Sequence, residues 1–416
     1  MIDTKRLRLK YVADFIQRGD APTYVDAGGI TVINQSCVSP RGIDLSRKKL
    51  HDSEDKGRIG AWLTKGDILI NSTGTGTLGR VAHVERDPDE PMFADGHVTI
   101  IRDSRRRFEP RYLFYLLSIQ QEHITVDCSE GATNQIELSR HRLGNKAIDW
   151  PSLEMQRRIA AFLDDVTSNL DALITQKQGL LALIAEKRRS LITGAVNCGL
   201  NRDAPMRDSG SPWLGEIPTH WQIERAKWLF VERDERSKAG EEELLTVSHL
   251  TGVTTRAEKD VNMFMAESLE GYKRCEAGDL VINTLWAWMG AMGTAKEPGI
   301  VSPAYNVYQP IKALTPDYLD RLVRTPRFVQ EVTRFSKGVW SSRLRLYPEG
   351  LYEVWLPVPP VHEQHAIVAY VTAEIQKLTE LSSETKRTTE LLHERRRALI
   401  SAAVSGHLEQ AARNAN

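Results

Sequence analysis

From Ile159 onward, apolar residues recur at alternating steps of four and three. The series is Ile159, Leu163, Val166, Leu170, Leu173, Leu180, Ile184 and Leu191, with Lys177 and Lys187 in the two remaining places. A second series runs Ile367, Val371, Leu378, Leu381, Leu392 and Leu399, with Glu374, Thr385, Thr388 and Arg395 filling the seam. This is a heptad pattern and predicts two long helices. No proline interrupts the chain between Pro151 and Pro205, and none follows Pro360. A helix of about 40 residues is roughly 60 Å long and cannot bury its stripe inside one small globule. The two helices are therefore expected to pack on each other as an antiparallel coiled coil. Two unrelated surface helices are the plainer alternative, but the seams share one register.

The shared register belongs to an internal repeat. Residues 151–200 laid on 359–408 at a constant shift of 208 match at 15 of 50 positions. The densest pairing is EKRRSLITGAVNCGL (186–200) with ERRRALISAAVSGHL (394–408). Pro151, Gln156 and Ile159 match Pro359, Gln364 and Ile367. Upstream the likeness is weaker: KGDILIN (65–71) with AGDLVIN (277–283), EPRYLFYLL (109–117) with TPDYLDRLV (315–323), and Gly131 near Gly338. The consecutive basic residues in EKRRSLI and ERRRALI lie near helix ends, where cations complement the dipole. A phosphate or partner contact is the alternative for them.

Between the helices the pattern shortens. ADGHVTIIRD (94–103) and AGDLVINT (277–284) read as strands by their β-branched runs. RYLFYLLSIQQEHI (111–124) and DYLDRLVRTPRFVQEVTRF (317–335) read as short helices. The expected fold is thus mixed α/β (α+β) units in two copies, separated by two long helices, with an internal pseudo-twofold repeat. The expected boundaries are 1–150, 151–205, 206–357 and 358–416. Residues 199–220 form a Gly/Pro/Ser-rich connector, and EQAARNAN a frayed tail.

Composition narrows the class. The 416 residues suggest two to four units. Lys and Arg total 55, Asp and Glu total 55, and the formal net charge is zero. At first sight this argues against a nucleic-acid binder. Residues 1–150 carry 22 basic and 21 acidic side chains, and residues 206–357 carry 19 and 21, so no basic unit hides beside an acidic one. No apolar run reaches the roughly 18 residues of a membrane span, and no apolar h-region follows the charged N-terminus. The scattered Cys37, Cys128, Cys198 and Cys275 read as reduced thiols of a cytoplasmic protein.

Catalytic signals are scarce. Gly74-Thr75-Gly76-Thr77-Leu78-Gly79 matches GxGxxG, but RVAHVERDPDEP follows it and reads as another strand, not a helix. There is no P-loop and no [DNS]-P-P-[YFW] stretch of the kind an adenine methyltransferase uses. Glu54-Asp55-Lys56 has nuclease-like spacing without an upstream acidic partner. The histidines of His362-Glu363-Gln364-His365 have no counterpart in Glu154-Met155-Gln156-Arg157, so a shared metal site is not expected. The inventory is that of a non-catalytic binder.

Four features together resemble one family. They are SGSPWLGEIPTHW (209–221), the KGDILIN and AGDLVIN pair, the Pro-x(4)-Gln-x(2)-Ile helix starts, and the EKRRSLI and ERRRALI helix ends. In this order, and mostly twice over, they are similar to the specificity subunit of type I restriction–modification systems. One departure is visible: no copy of SGSPWLGEIPTHW stands before KRLRLKYVADF. The resemblance implies that each α/β unit is a target-recognition domain reading half of a bipartite, asymmetric site in double-stranded DNA. It implies that the helices set the spacer and dock two methyltransferase subunits, with restriction–translocase subunits joining the assembly. S-adenosylmethionine, ATP and Mg would belong to those partners, and this chain would bind no cofactor, metal or membrane. A coiled-coil scaffold without DNA specificity is the alternative. A neutral subunit should bind DNA weakly alone, because phosphate attraction supplies most non-specific affinity.

Base readout needs polar side chains presented to a groove. In the first unit the candidates are Asn71, Ser72, Thr73 and Thr75, then Thr133, Asn134 and Gln135, then Arg140, His141 and Arg142. Arg105, Arg106 and Arg107 could grip phosphate or form a solvated turn. In the second unit they are Asn283, Thr284, Trp286 and Trp288, then Lys337, Trp340, Ser341, Ser342, Arg343 and Arg345. Asn71 and Asn283 recur in both copies, which favours a framework or phosphate role. Trp286 and Trp288 would share a face of a strand, as core, platform or intercalator.

Overall fold

The computed structural model describes residues 4–39, 42–55, 59–131, 136–257, 268–312, 314–339, 344–407 and 411. They form two compact units, residues 1–178 with 386–416 and residues 179–385. Each contains one mixed α/β domain and a portion of both long helices, Leu153–Cys198 and Val361–Val404.

In the first unit, a four-stranded antiparallel sheet has the order Phe15–Arg18, Val98–Arg102, Ile68–Asn71, Val81–His83. The central strand shows why two layers form on it. Ile68 and Ile70 enter a core with the Pro110–Ser118 helix and the long helices, while Leu69 enters a second core with Ile33, Cys37 and Ala94. Alternating side chains point to opposite faces, and here both faces are apolar. The second core is shared with a sheet of Met92–Ala94, Gly29–Ile33, Lys49–Asp52 and Tyr24–Val25. Thr4–Arg8 closes the domain against Ala147–Pro151.

The second unit repeats the four-stranded sheet in the order Phe230–Glu232, Tyr305–Pro310, Leu280–Asn283, Met292–Thr294. Leu280 and Ile282 face the helices, and Val281 faces a separate core with Leu245, Val247 and Cys275. Gln222–Arg225 pairs with Trp355–Val358 as the closing ribbon.

The repeated Gly-Asp has a local cause. Gly66 and Gly278 both sit at φ 93, a left-handed turn that glycine adopts without Cβ strain. The next residues, Asp67 and Asp279, are buried. Asp67 accepts from the Thr64 N–H at 2.8 Å and from Arg102 at 2.6 and 2.7 Å. Asp279 accepts from the Glu276 N–H at 2.8 Å and from Arg233 at 2.7 Å. The framework acid is the same, but the arginine comes from a different strand position in each unit.

The long helices pack antiparallel. In the first unit Ile159, Ala160 and Leu163 share a core with Ile400 and Ala403, and Arg396 Nε donates to Asp171 Oδ1 at 3.0 Å. In the second, Ala195 and Val196 share a core with Ile367 and Val371. The strict heptad seam fails at Leu173 and Leu381, which are 44% and 42% exposed, while Thr167 and Ile174 are buried. A straight helix drifts about 20° per heptad from a 3.5 repeat, so the buried stripe moves off the strict positions.

Three further expectations are refined. The 111–124 and 317–335 segments each form two helices, Pro110–Ser118 with Gln121–Cys128 and Pro316–Val323 with Pro326–Arg334. Pro326 starts the last of these, and the Thr325 hydroxyl caps it by accepting from the Phe328 N–H at 3.3 Å. The 199–220 connector is itself ordered. Met206–Asp208 pairs with Glu216–Pro218, and Trp213 and Trp221 are buried. Their indole N–H groups donate to Trp355 O at 3.1 Å and Glu363 Oε2 at 2.9 Å. Glu363 also accepts from His220 at 2.6 Å, so HEQH supplies a structural acceptor here. Burial opposes its ionised form, but those two hydrogen bonds still hold the Glu363 carboxyl below its usual range. The tail lies outside the described residues except for Ala411.

All four cysteines are free, and burial pushes the Cys275 thiol up to about 12. Among the described residues no group of acidic, His or Cys side chains could hold a metal ion, and no helix is long and apolar enough to cross a membrane.

Candidate nucleic-acid interface

Both units build one construction at the end of their repeated strand. In the first, Asn71 ends the strand fully buried, and its amide donates to Gln35 O at 2.9 Å. Its Oδ1 has no partner among the described residues. Ser72 is also buried and shares a 2.6 Å hydrogen bond with Thr99. Both side chains point into the domain, so the expectation that Ser72 faces a groove is corrected, while Asn71 sits as a framework residue. The chain surfaces only after them. Thr73 reaches His97 Nδ1 at 2.9 Å and Gln35 Oε1 at 3.1 Å, and Thr75 is exposed. Gly74, Gly76 and Gly79, at φ 100, 75 and 76, bend this loop back into the Val81–His83 strand. The glycine-rich match thus leads to a strand, as its downstream residues indicated.

A short hairpin hangs on this loop. Ser129–Glu130 pairs with Glu137–Leu138, and the Leu138 N–H donates to Ser72 O at 2.8 Å. Gly131 opens the hairpin loop at φ 118. Thr133, Asn134 and Gln135 lie outside the described residues. After the hairpin, Ser139 caps the Arg140–Asn145 helix. Arg140, His141 and Arg142 are exposed on it. Arg142 is tied to Ser129 O at 2.9 Å and His141 to Asn145 at 3.0 Å, whereas the Arg140 side chain has no hydrogen bond among the described residues.

The second unit repeats the arrangement with other side chains. Asn283 is largely buried and accepts from the Leu285 N–H at 3.2 Å. Thr284 donates to Ala304 O at 2.8 Å, and the Leu346 N–H donates to Thr284 O at 3.2 Å. Lys337 and Arg345, both exposed, exchange two backbone hydrogen bonds at 2.9 Å and form the hairpin base. Trp340, Ser341, Ser342 and Arg343 lie outside the described residues. Trp286 and Trp288 do not sit on a strand. Trp286 is the N-cap residue of a short 3-10 helix, Ala287–Met289, that contains Trp288 and is ended by Gly290 at φ 88, so the two share no strand face. Trp286 is half-exposed, while Trp288 Nε1 donates to Leu285 O at 3.0 Å.

The RRR run divides in the same way. Arg105 and Arg106 are exposed on a turn, with Arg106 at φ 53. Arg107 is held by Asp103 at 2.7 Å and by Tyr11 O at 3.0 Å, which leaves it bound within the fold.

One surface escaped the sequence reasoning. Every residue of the Thr4–Arg8 strand is exposed, including Lys5, Arg6 and Arg8. Beyond it Tyr11 is 59% exposed beneath the Lys10 ammonium. Trp228, also 59% exposed, pairs with Lys227 at the corresponding place in the second unit. The signal is the LKY (9–11) and AKW (226–228) pair near the start of each domain.

Comparison with known proteins places these features in a class. Residues 13–182 match the family model described as the type I restriction modification DNA specificity domain. The chain is 25% identical over 219 residues to the protein named "Putative type I restriction enzyme MjaX specificity subunit" of Methanocaldococcus jannaschii. That match covers 52% of this chain and 50% of that protein, so the chain spans about half the length of the curated relative it matches. A solved structure titled for the complex assembly and conformational transition of the type I R-M system shares the fold. It has a TM-score of 0.65, 17% identity, and coverage of 98% of this chain and 100% of that one. The HsdS subunit from Thermoanaerobacter tengcongensis has a TM-score of 0.48 at 18% identity, with 97% of each chain covered. The resemblance stated from the repeated motifs is borne out by the match of residues 13–182 to that family model and by the curated relative.

Proposed function

We propose that this chain is a DNA-specificity subunit in which each α/β unit reads one half of a bipartite, asymmetric site. The observation that carries this reading is the repeated construction: a strand, a buried Asn, a loop, and a hairpin tied back to that loop by a backbone hydrogen bond. It occurs once in each unit, with different exposed side chains on the same frame. A reader of two unlike half-sites requires such constancy beneath and variation above, because phosphate contacts position while base contacts specify. The long helices then set the spacer and dock two methyltransferase subunits. Restriction–translocase subunits complete the assembly, and S-adenosylmethionine, ATP and Mg belong to those partners. This chain is non-catalytic in this reading. Adenine-methylation mapping of DNA modified by the reconstituted methyltransferase complex tests it. A split motif with one fixed spacer is expected. A continuous motif, or methylation without sequence preference, would favour the coiled-coil scaffold.

A further inference from the structure

Two buried glutamines occupy equivalent places at the starts of the long helices. Gln156 is 3% exposed and Gln364 is fully buried. Gln156 Oε1 accepts from the Glu109 N–H at 2.9 Å, and its Nε2 donates to Pro151 O at 2.9 Å. Gln364 Oε1 accepts from the Thr315 N–H at 2.8 Å, and its Nε2 donates to Pro359 O at 2.9 Å. Glu109 and Thr315 are the N-cap residues of the Pro110–Ser118 and Pro316–Val323 helices. One amide therefore satisfies an orphan N–H of a domain helix while holding the carbonyl that leads into the long helix.

A second tie lies two turns further on. In the first unit Asp164 accepts from Tyr115 Oη and from Arg111 Nε, both at 2.6 Å. In the second, Thr372 occupies the position 208 residues later, and Arg321 donates to its hydroxyl at 2.7 Å. The chemistry differs, but the same two helices are joined at the same two levels. Two points of attachment remove the rotation that one would allow.

From this geometry we infer that Gln156 and Gln364 are positioning residues for spacer selection. Each fixes the angle between a recognition domain and its own long helix. They contact no DNA and act by holding the domain in one orientation. This rests on the reading of the chain as a bipartite specificity subunit.

The test uses the reconstituted methyltransferase complex on a library with fixed half-sites and the spacer varied one base pair at a time. The wild-type complex should strongly prefer one length. Gln156→Met and Gln364→Met should raise methylation at the adjacent lengths by about tenfold relative to the preferred one, with both half-sites unchanged. Thr372→Val lies at an exposed position and cuts the second tie without opening the core. It should broaden the spacer in the same sense and covers the case in which a glutamine variant fails to fold. Folded variants with the wild-type spacer profile would overturn the inference while leaving the functional reading intact. A wild-type complex with no split site would overturn that reading, and this inference with it.

Discussion

The backbone N–H of Leu138 donates to the carbonyl oxygen of Ser72 at 2.8 Å, joining the hairpin of the first unit to the loop that follows its central strand. Leu346 and Thr284 make the same bond at 3.2 Å in the second unit. The candidate interface in each unit is therefore one hydrogen-bonded body. Its buried and exposed positions should respond differently to substitution.

Ser72→Ala removes the buried hydrogen bond to Thr99 and should cost roughly 1–2 kcal/mol in urea denaturation. The half-site preference of the surviving complex should stay unchanged. Thr75→Ala, at an exposed loop position, should do the reverse. Stability should hold within about 0.5 kcal/mol, and preference should shift in one half-site only, as read by methylation sequencing.

Arg396 and Asp171 tie one long helix to the other, with side chains 13% and 30% exposed. A double-mutant cycle with Arg396→Ala and Asp171→Ala should give a coupling of about 1 kcal/mol, because the pair is charge-assisted and largely shielded. The equivalent positions in the second unit, Arg188 and Thr379, cannot form this pair, so Arg188→Ala should show no coupling to Thr379→Ala.

His83 should make stability pH-dependent. Burial, followed by the nearby Arg111 charge, pushes its imidazole down from 6.5 to about 4. Between those values the unfolded chain takes up a proton that the folded chain refuses. Stability therefore falls as the pH drops from 6.5 toward 4 and levels off below. The full loss is at most roughly 3 kcal/mol. Chemical denaturation at stepped pH should show this slope, and His83→Leu should flatten that part of it.

Arg140 is exposed, unpaired among the described residues and mounted on a helix beside the hairpin. If it meets phosphate, Arg140→Ala should weaken binding of the methyltransferase complex to all sequences by the same factor. The slope of log affinity against log salt should fall by about 0.9. A loss confined to particular base pairs would instead make it a base contact.

The architecture was legible because its signals are periodic or duplicated. Steps of three and four announced the long helices, and the 208-residue shift paired them. Side-chain direction was less legible. Asn71 and Ser72 stand at the junction of strand and loop and look like loop residues, yet tertiary packing draws them inward. Trp286 and Trp288 alternate as on a strand, but the left-handed Gly290 closes a 3-10 turn around them. Leu173 sits on the heptad grid while Ile174 is the buried residue, because helical drift accumulates. The Gln156 and Gln364 match was visible as letters. Its meaning depended on Glu109 and Thr315, which lie 47 and 49 positions away in sequence.

The central claim is that each unit reads its own half-site. Its most direct test replaces residues 1–150 with the corresponding domain of another specificity subunit and maps adenine methylation by the reconstituted complex. One half of the split site should change to that of the donor, with the other half and the spacer kept. A change in both halves, or in neither, would contradict the account.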